Sequence, residues 1–354
     1  MSRNVSILIP AYNAEKWIAQ TIESAVSQTW PDKEIIIVDD GCRDRTFRIA
    51  KKYESKGVKI VSQENQGASA ARNTALQNAQ GDFIQWLDAD DLLAPNKIEE
   101  QMKYADEGPS SLKLLSGPYG IFYWRIQKAK FTSSPLWRDL TPLEYFMEKF
   151  TKGVWMNPAG WLVSRRITEK AGKWDERIFL DNDGEYFCRA VAASEGIIFV
   201  KEARCYYRHS GYDQLSRGIS EKARKSALLS LASSVRCLLS LEDSERTRMA
   251  SLMAVRRRSH LFYPDRHEEL RELERFAREL GGELETPDLG WKLEVMRKII
   301  GLKKAKAILF LIRKMKLTAR VKWDESLYKL GKQQSGMAKQ SAFAETSDYR
   351  NPNK

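Results

Sequence analysis

Three aspartates within four residues, Asp88, Asp90 and Asp91, follow the apolar segment 83–87. Like charges at this spacing repel one another, and burying each carboxylate costs several kcal/mol unless a cation compensates for it. A hard divalent ion such as Mg²⁺ or Mn²⁺, held by one or two carboxylates and by phosphate oxygens, supplies that compensation. The alternative is that the acidic side chains cap the next helix, and Asp91 has the position for this role. From these residues alone, both interpretations stay open.

Two other polar segments could contact a nucleotide. Asp39 and Asp40 precede Gly41, and a carboxylate there can accept a hydrogen bond from the imide N–H of a pyrimidine base. A simple turn with glycine at positive φ is the alternative for this segment. Residues 67–73 (GASAARN) begin a predicted helix with small side chains that permit close backbone approach, and Arg72 suits contacts with a phosphate or a base. An ordinary alanine-rich helix is the alternative here.

An alternation of short apolar runs and helix-like segments positions these clusters. The apolar runs lie at residues 5–9, 34–38, 58–61 and 83–87, and helical spacing of apolar residues fills the intervals between them. This alternation indicates an α/β fold: a mostly parallel, Rossmann-like sheet with helices on both faces. Ligands of such sheets bind beyond the carboxyl ends of the strands, which is where residues 10–13, 39–41 and 88–91 fall.

Composition excludes several classes of protein. The chain has 354 residues, of which 42% are apolar and 30% charged, so the bulk of it is not disordered. Apolar stretches of 18 or more residues are absent from the sequence, and the first apolar run ends at Pro10, too early for a signal-peptide core. We therefore expect a cytoplasmic protein. With four scattered cysteines and three histidines, a bound metal would be held mainly by oxygen.

Three segments in order resemble the nucleotide-sugar-binding half of family 2 glycosyltransferases, which have the GT-A fold. They are VSILIPAYNAEKWIAQTIESAVSQTWPDKEIIIVDDG, ENQGASAARNTAL and GDFIQWLDADD. The similarity is nearly unbroken over residues 5–91 and resumes in patches to about Arg217. Cys42 and Arg45 depart from the family pattern, which usually has serine and glycine there. The resemblance implies a GT-A, Rossmann-like α/β fold, followed in this chain by a helical C-terminal region.

The resemblance also implies roles for the residues that match the donor-binding motifs. Pro10, Ala11 and Tyr12 match the segment around the nucleotide base, with Tyr12 stacking on it. Asp40 matches the carboxylate that binds the uracil or thymine ring. Arg72 matches an arginine near the base and the phosphate.

The metal ligands implied by the resemblance belong to the DxD motif and to a histidine. Asp88 matches the first Asp of the motif, which contacts the ribose and the water shell of the metal, and Asp90 matches the direct ligand of Mn²⁺ or Mg²⁺. Asp91 follows the motif, and we expect it to be a helix cap. His209 follows the last predicted strand, where family members often bring a histidine to the metal or the diphosphate; a surface histidine is the alternative.

Glycosyl transfer also needs a base, because the pKa of the acceptor hydroxyl is far above neutral pH. Asp183 lies six residues before Arg189 and resembles the family pattern ED-x-x-x-x-x-R, with Asn182 in place of the usual glutamate. We predict that Asp183 is the catalytic base. A helix N-cap is the alternative role for Asp183, Asp181 is a rival base, and Glu185 is a weaker one.

The net charge of +12 is concentrated near the C-terminus. Residues 297–322 contain ten basic residues and no acidic one. On a helix, Ala305, Ile308, Leu309, Ile312 and Met315 would form one stripe, opposite Lys303, Lys306, Arg313 and Lys314. Such an amphipathic helix suits an anionic membrane surface, and packing of the stripe on the catalytic domain is an equal alternative. Nucleic acid is the least favoured partner, since no recognition module accompanies the charge.

The predicted function is that of an inverting, metal-dependent glycosyltransferase. It would move a sugar from a nucleotide-diphosphate donor, with a UDP-sugar favoured, to a sugar or glycolipid acceptor in polysaccharide or cell-envelope glycan synthesis, peripherally on the cytoplasmic face of a membrane. One alternative is a catalytically silent homologue that acts as a membrane or assembly scaffold, which the departure at Asn182 keeps open. Another is a sugar nucleotidyltransferase, which would need a Gly-rich, basic loop that residues 10–13 do not provide.

Four parts of the chain are predicted from this pattern. They are a nucleotide-sugar-binding half (1–115), an acceptor-binding half of the same GT-A domain (116–219), a helical region with the basic amphipathic helix (220–332) and a disordered tail (333–354).

Overall fold

The computed structural model describes residues 3–105, 112–209, 221–262, 267–285 and 290–347. These residues fall into two compact units. The first unit contains the described residues up to Ile121, those from Phe131 to Tyr207, and those of 221–285. The second contains residues 122–130, the short segment that begins at Arg208, and the described residues from 290 onward. The predicted boundaries at residues 115, 219 and 332 stay predictions.

Residues 3–105 alternate strands and helices, as the sequence pattern predicts. In chain order the elements are β1 (Val5–Ala11), α1 (Ile18–Val26), β2 (Lys33–Asp40), α2 (Thr46–Lys51), β3 (Val58–Gln63), α3 (Ala68–Gln77), β4 (Phe83–Trp86), β5 (Leu92–Leu93) and α4 (Lys97–Met102). The four predicted strands correspond to β1, β2, β3 and β4. The carboxyl ends of β1, β2 and β4 lead directly into the polar clusters of the sequence.

Residues 112–209 mix shorter strands with helices. The elements are β6 (Lys113–Ser116), β7 (Tyr119–Phe122), β8 (Lys130–Phe131), α5 (Pro142–Lys152), β9 (Val163–Ser164), α6 (Arg165–Ala171), α7 (Asn182–Ala192), β10 (Gly196–Phe199) and β11 (Cys205–Arg208). β10 is parallel to β6, and a small sheet has the order β5-β11-β7-β8. Thr141 begins α5 with a capping box, in which its hydroxyl accepts from the Glu144 N–H and Glu144 accepts from the Thr141 N–H.

The main sheet has the order β3-β2-β1-β4-β9. β1 pairs in parallel with β2 and β4, β2 pairs in parallel with β3, and β9 is antiparallel to β4. Ile7 and Ile9 of β1 lie in one hydrophobic core and Leu8 lies in another, because successive side chains of a strand point to opposite faces. The first core includes side chains of α1 and the second those of α3, so helices cover both faces.

The C-terminal part of the chain is helical. It contains α8 (Glu221–Leu241), α9 (Glu245–Ser259) and α10 (His267–Glu279) in the first unit, and α11 (Trp291–Ile300) and α12 (Leu302–Ser347) in the second. α12 is described as far as Ser347, and the predicted disorder of residues 333–354 stays a prediction. Alanine, lysine and glutamine, which are good helix formers, are frequent after residue 333, and the first proline is Pro352. Residues 348–354 of the predicted tail lie outside the described residues.

Candidate active site at the carboxyl ends of the strands

The ends of β1 and β2 are neighbours in the main sheet. Their register places Ala11 opposite Asp39, so the residues that follow both strands emerge at the same edge. Pro10 is half-buried and Ala11 is buried, whereas the side chain of Tyr12 is 47% exposed. The structure therefore places the predicted base-contacting segment at the edge where ligands of parallel sheets bind.

Hydrogen bonds from the loop after β2 hold the segment after Tyr12. The Asn13 N–H donates to the Cys42 sulfur (3.2 Å), the Cys42 thiol donates to the Ala11 carbonyl (3.4 Å), and the Ala14 N–H donates to the Thr46 hydroxyl (2.7 Å). Burial, together with nearby Asp39, raises the pKa of the Cys42 thiol to about 12, so it remains a neutral hydrogen-bonding group. Cys42 thus connects the two loops at the position where the family usually has serine.

The carboxylate of Asp40 is buried and fully hydrogen-bonded within the chain. Its Oδ1 accepts from the Gln63 side chain (2.8 Å) and from the Gln66 N–H (2.9 Å). Its Oδ2 accepts from the Asn65 side chain (3.1 Å) and from the Gly67 N–H (2.9 Å). A carboxylate offers about four acceptor positions, and this loop takes all of them. In this structure Asp40 holds the loop before α3, and its role toward a base stays a prediction.

Asp39 is the neighbouring carboxylate that the sequence did not single out. It is buried at the end of β2, and its Oδ1 has no hydrogen-bond partner among the described residues. A buried acceptor without a partner is costly, and such atoms are commonly found where a ligand binds. The doublet at 39–40 was visible in the sequence, but the sequence could not show which of its two carboxylates the loop would use.

Arg72 lies on α3 and contacts Asp88, the first of the three clustered aspartates. Its Nη2 donates to Asp88 Oδ1 at 2.7 Å, and its guanidinium lies 4.4 Å from the ring centroid of Trp174. The side chain is buried, and Nε and Nη1 have no partner among the described residues. Asp88 is half-buried. Arg72 therefore lies beside Asp88 and retains donors that suit an anionic ligand. Its predicted contact with the base and the phosphate stays a prediction.

The two other aspartates of the cluster differ in burial. Asp90 is half-buried, whereas Asp91 is fully buried and its Oδ2 accepts from the Asn157 side chain at 2.8 Å. The expected role of Asp91 as a helix cap is wrong, because β5 follows it directly and the next helix begins only at Lys97. Asp91 instead connects the DxD loop to the segment that contains Asn157.

Asp181, the rival base, is engaged by other side chains. It adopts a positive φ of 63° at the N-cap position of α7. Its Oδ2 accepts from Arg258 Nη2 (2.6 Å) and from the Ser230 hydroxyl (2.9 Å). Burial by itself raises the pKa of Asp181, but the charges of Arg258 and Lys149 outweigh burial and hold the pKa below its usual value. A carboxylate held in this way is a poor proton acceptor.

Asp183 lies in the first turn of α7, so it is not the N-cap that we considered as its alternative role. Burial, followed by the charge of Asp181, raises the pKa of Asp183 to about 6. The charge of Arg72 lowers this pKa and that of Asp88 raises it, so both groups lie within electrostatic range of Asp183. The fold thereby brings the predicted base to the DxD aspartates, although they are far apart in sequence.

Tyr207 on β11 lies within electrostatic range of the same carboxylates. Burial raises the pKa of its hydroxyl above the usual range, and the charges of four carboxylates raise it further. These carboxylates are Asp91, Asp90, Asp88 and Asp183. The ring of Tyr207 also meets Trp155 edge-on at 5.5 Å, and Trp155 lies 5.0 Å from Tyr119. The sequence did not single out Tyr207, because nothing local distinguishes it from the other aromatic residues.

His209 belongs to the second unit. Its backbone N–H donates to the Phe122 carbonyl at 2.8 Å, and its ring meets that of Tyr123 at 5.5 Å. Its predicted role at a metal stays a prediction.

The donor set fits a hard divalent cation that relies on its ligand for part of its coordination. Among the described residues, no three His, Cys, Asp or Glu side chains form a group that could hold a metal ion by themselves. Asp88 and Asp90 supply carboxylate oxygens at one edge, with Asp88 Oδ1 engaged by Arg72. Mg²⁺ and Mn²⁺ accept such incomplete protein shells when phosphate oxygens and water supply the remaining positions.

Over the described ranges, no helix is both long enough and apolar enough to cross a bilayer.

The strands and helices of the first unit form a fold of the GT-A type. Staphylococcus aureus TarS in complex with UDP-GlcNAc is similar in fold, with a TM-score of 0.56 and 19% identity over 79% of this chain and 92% of that one. The mannosyltransferase PcManGT from Pyrobaculum calidifontis, in complex with GDP-Man and Mn²⁺, gives a TM-score of 0.51 and 16% identity over 74% of each chain. The predicted GT-A fold is confirmed.

Residues 6–170 match Glycosyl transferase family 2, so this part of the chain is a family 2 glycosyltransferase domain. Escherichia coli chondroitin synthase is 44% identical over 97 residues, which are 27% of this chain and 14% of that protein. The putative teichuronic acid biosynthesis glycosyltransferase TuaG of Bacillus subtilis is 41% identical over 106 residues, 29% of this chain and 42% of that protein. The chain spans less than half the length of these curated relatives. The predicted family is confirmed for this domain.

Proposed function

We propose that the protein is an inverting, metal-dependent glycosyltransferase that uses a nucleotide-diphosphate sugar. The observation that carries this proposal is the convergence of Asp183 with the Arg72–Asp88 pair. These residues come from α7, from α3 and from the loop after β4, and the charges of Arg72 and Asp88 act directly on the pKa of Asp183. Such a pairing of donor-binding and proton-accepting groups is what transfer from an activated sugar requires.

The proposed donor is a nucleoside diphosphate sugar, with uridine favoured. The exposed ring of Tyr12 is available to stack on a base, and the buried Oδ1 of Asp39 suits the imide N–H of a pyrimidine. Arg72 retains guanidinium donors for an anionic group. TarS is described in complex with UDP-GlcNAc and PcManGT with GDP-Man, which supports the chemical class of donor but leaves the base and the sugar to experiment.

Asp90, with Asp88 beside it, is proposed to hold Mn²⁺ or Mg²⁺. When bound, the cation supplies positive charge that stabilises the departing diphosphate. The presence of Mn²⁺ in the PcManGT complex supports this choice of metal class. Arg72 positions the carboxylate of Asp88 through its 2.7 Å hydrogen bond, and Asn157 anchors the loop through Asp91.

Asp183 is proposed to accept the proton of the acceptor hydroxyl. As the acceptor oxygen forms its bond to the anomeric carbon, the bond from that carbon to the diphosphate breaks, and the electron pair leaves with the nucleotide. The acceptor proton passes to the Asp183 carboxylate. A single displacement of this kind inverts the anomeric configuration and needs no nucleophile from the protein. A pKa near 6 keeps Asp183 ionised at neutral pH and basic enough to assist.

The acceptor is proposed to be a sugar hydroxyl of a growing polysaccharide or of a glycolipid. The aromatic group of Trp155, Tyr119 and Tyr207 supports this, because its rings pack together beside the carboxylates and Trp155 is exposed. Aromatic faces bind the apolar faces of sugar rings. The names of chondroitin synthase and TuaG indicate glycan synthesis for those relatives.

The proposed location is the cytoplasm, with peripheral attachment to the cytoplasmic face of a membrane. The concentration of basic residues in 297–322 supports it, because cytoplasmic leaflets carry anionic lipids.

A thermal-shift screen with UDP, dTDP and GDP, each with and without Mn²⁺, tests the donor proposal. We expect UDP with Mn²⁺ to stabilise the protein by about 2.7 kcal/mol at a hundredfold excess over Kd. The variant Asp90→Asn should lose the part of the shift that depends on Mn²⁺, whereas Asp243→Asn, an exposed aspartate paired with Arg248 between α8 and α9, should keep it. Absence of a shift with every nucleotide would contradict the proposal.

A further inference from the structure

Helix α12 has one side that packs within the second unit. Asp324 accepts from the backbone N–H groups of Trp124 (2.9 Å) and Arg125 (3.1 Å), and Arg125 Nε donates to its Oδ1 at 2.7 Å. One turn further along, the ring of Tyr328 lies 5.7 Å from that of Trp124. Asp324 and Tyr328 therefore mark the inner face of α12.

The opposite side of α12 carries exposed apolar side chains. They recur at intervals of up to four residues over the first half of the helix and again at Trp323. Because an α-helix turns by 100° per residue, these side chains lie on average on the side of the helix opposite Asp324 and Tyr328. The residues of this apolar row are Ile308, Leu311, Ile312, Met315 and Trp323, and Leu330 lies on the same side; exposed Phe310 lies on the other side.

Three of the five residues of the predicted stripe, Ile308, Ile312 and Met315, are exposed. Ala305 is buried and Leu309 is half-buried. Leu311 takes their place on the exposed side. Met315 is 64% exposed. Packing of the stripe on the catalytic domain stays an alternative prediction.

Helix α11 presents a second exposed apolar row. Trp291, Val295 and Ile299 are spaced four residues apart, and Trp291 and Ile299 are 74% and 76% exposed. α11 packs against α12 and is joined to it at Gly301, which has a φ of +78° that favours glycine. The two helices form a hairpin with exposed apolar residues on both arms.

Exposed basic side chains flank the apolar row of α12 on both sides. Lys314 lies on one side, and Lys316 and Arg320 lie on the other, while Lys304 and Lys322 extend the charge toward the two ends of the row. Residues 297–322 contain no acidic residue that would neutralise this charge.

We propose that the α11–α12 hairpin binds the surface of an anionic lipid bilayer through the apolar row of α12 and its flanking basic residues. An apolar face bordered by lysine and arginine matches a leaflet in which acyl chains lie beneath anionic head groups. Trp291 and Trp323 suit the interfacial depth, where aromatic rings concentrate. A nucleic acid backbone would satisfy the cations but would leave the rows of isoleucine, leucine and methionine in water.

This inference rests on the proposed peripheral location, and it adds which face makes the contact. It does not depend on the proposed transfer reaction. The tests therefore read vesicle binding and sugar transfer to a water-soluble acceptor separately.

Sedimentation of the full chain with vesicles of phosphatidylcholine and phosphatidylglycerol tests the inference. We expect binding to mixed vesicles that falls as NaCl rises, and weak binding to pure phosphatidylcholine. Met315→Ser should weaken binding about tenfold, because it removes one exposed apolar side chain that the bilayer would bury. The matched control Met249→Ser changes a methionine that is 51% exposed on α9 of the first unit, and it should bind as the wild type does.

A second variant tests the electrostatic part. Replacement of Lys314 and Lys316 by glutamine should weaken binding to mixed vesicles about fivefold for each charge removed. Wild-type protein that ignores mixed vesicles, or that binds duplex nucleic acid in preference to them, would overturn both the location and the face, even if transfer to the soluble acceptor is intact. Wild-type binding that Met315→Ser and the double lysine variant leave unchanged would overturn the face alone.

Discussion

The first unit buries several charged side chains with fixed partners, whereas the α11–α12 hairpin of the second unit exposes many of its charged side chains. Lys97, in the first unit, is fully buried and donates to the Trp161 carbonyl at 3.1 Å, and burial lowers its pKa to about 7. Asp40 and Asp91 are likewise buried with partners that the fold fixes. Lys314 and Lys316 on α12 are exposed. Fixed polar groups suit a small ligand that must be held in one geometry, whereas exposed charges suit an extended surface.

The largest expected effect is the loss of transfer activity when the carboxylate of Asp183 is removed. Asp183→Asn should lower the transfer rate by about 10²- to 10⁴-fold while nucleotide binding persists, because the amide cannot accept the acceptor proton. Burial of the ionised carboxylate raises its pKa, so the neutral amide should not lower the melting temperature at pH 7.5. Steady-state kinetics with a defined acceptor measures the rate. A wild-type rate for Asp183→Asn would show that Asp183 is not the catalytic base.

The next effect concerns the buried contacts of the first unit. Asn157→Ala removes the 2.8 Å hydrogen bond to the buried carboxylate of Asp91 and should lower the free energy of unfolding by about 1–3 kcal/mol. Urea denaturation followed by circular dichroism measures the change. An unaltered unfolding midpoint would show that Asp91 does not depend on this contact.

The pH dependence of the reaction should follow Asp183. Because the pKa of Asp183 is raised to about 6, the group is protonated below that pH and ionised above it. The rate should therefore fall about tenfold for each pH unit below 6 and level off above it. A profile of kcat/KM between pH 4.5 and 8 tests this, and a rate that is flat down to pH 4.5 would argue against Asp183 as the base.

The smallest effect is expected in the second unit. Lys314→Gln changes an exposed side chain, so the free energy of unfolding should stay within about 0.5 kcal/mol of the wild-type value. Its urea denaturation curve and that of Asn157→Ala give the change in the free energy of unfolding for each of the two regions. A loss as large as that of Asn157→Ala would mean that the lysine is part of the packed structure.

The sequence predicted most of the elements around the site, because their signals are local. The apolar runs of β1 to β4 and the polar residues that end β1, β2 and β4 are contiguous in the chain, so their placement at one edge follows from parallel pairing. Asp183 was predicted from a motif with Asn182 in an unusual position, and the structure brings it within electrostatic range of Asp88.

Side-chain pairing over long distances was not predictable from the sequence. The loop at 63–67 takes every acceptor position of Asp40, and Asn157 takes Asp91, and neither pairing has a local signal. Tyr207 gains its place beside the carboxylates only when β11 pairs with β5. Which residues of the α12 stripe are exposed was not predictable for the same reason, because the side on which a helix packs depends on residues far along the chain.

The central claim is that the aspartates at the carboxyl ends of the strands bind a cation and, through it, the diphosphate of the donor. Anomalous diffraction from a crystal soaked with MnCl₂ and UDP tests it most directly. The account predicts a manganese peak at the carboxylate of Asp90, near Asp88, with the diphosphate of UDP bound to the metal. UDP bound with manganese elsewhere, or with none at this edge, would contradict it.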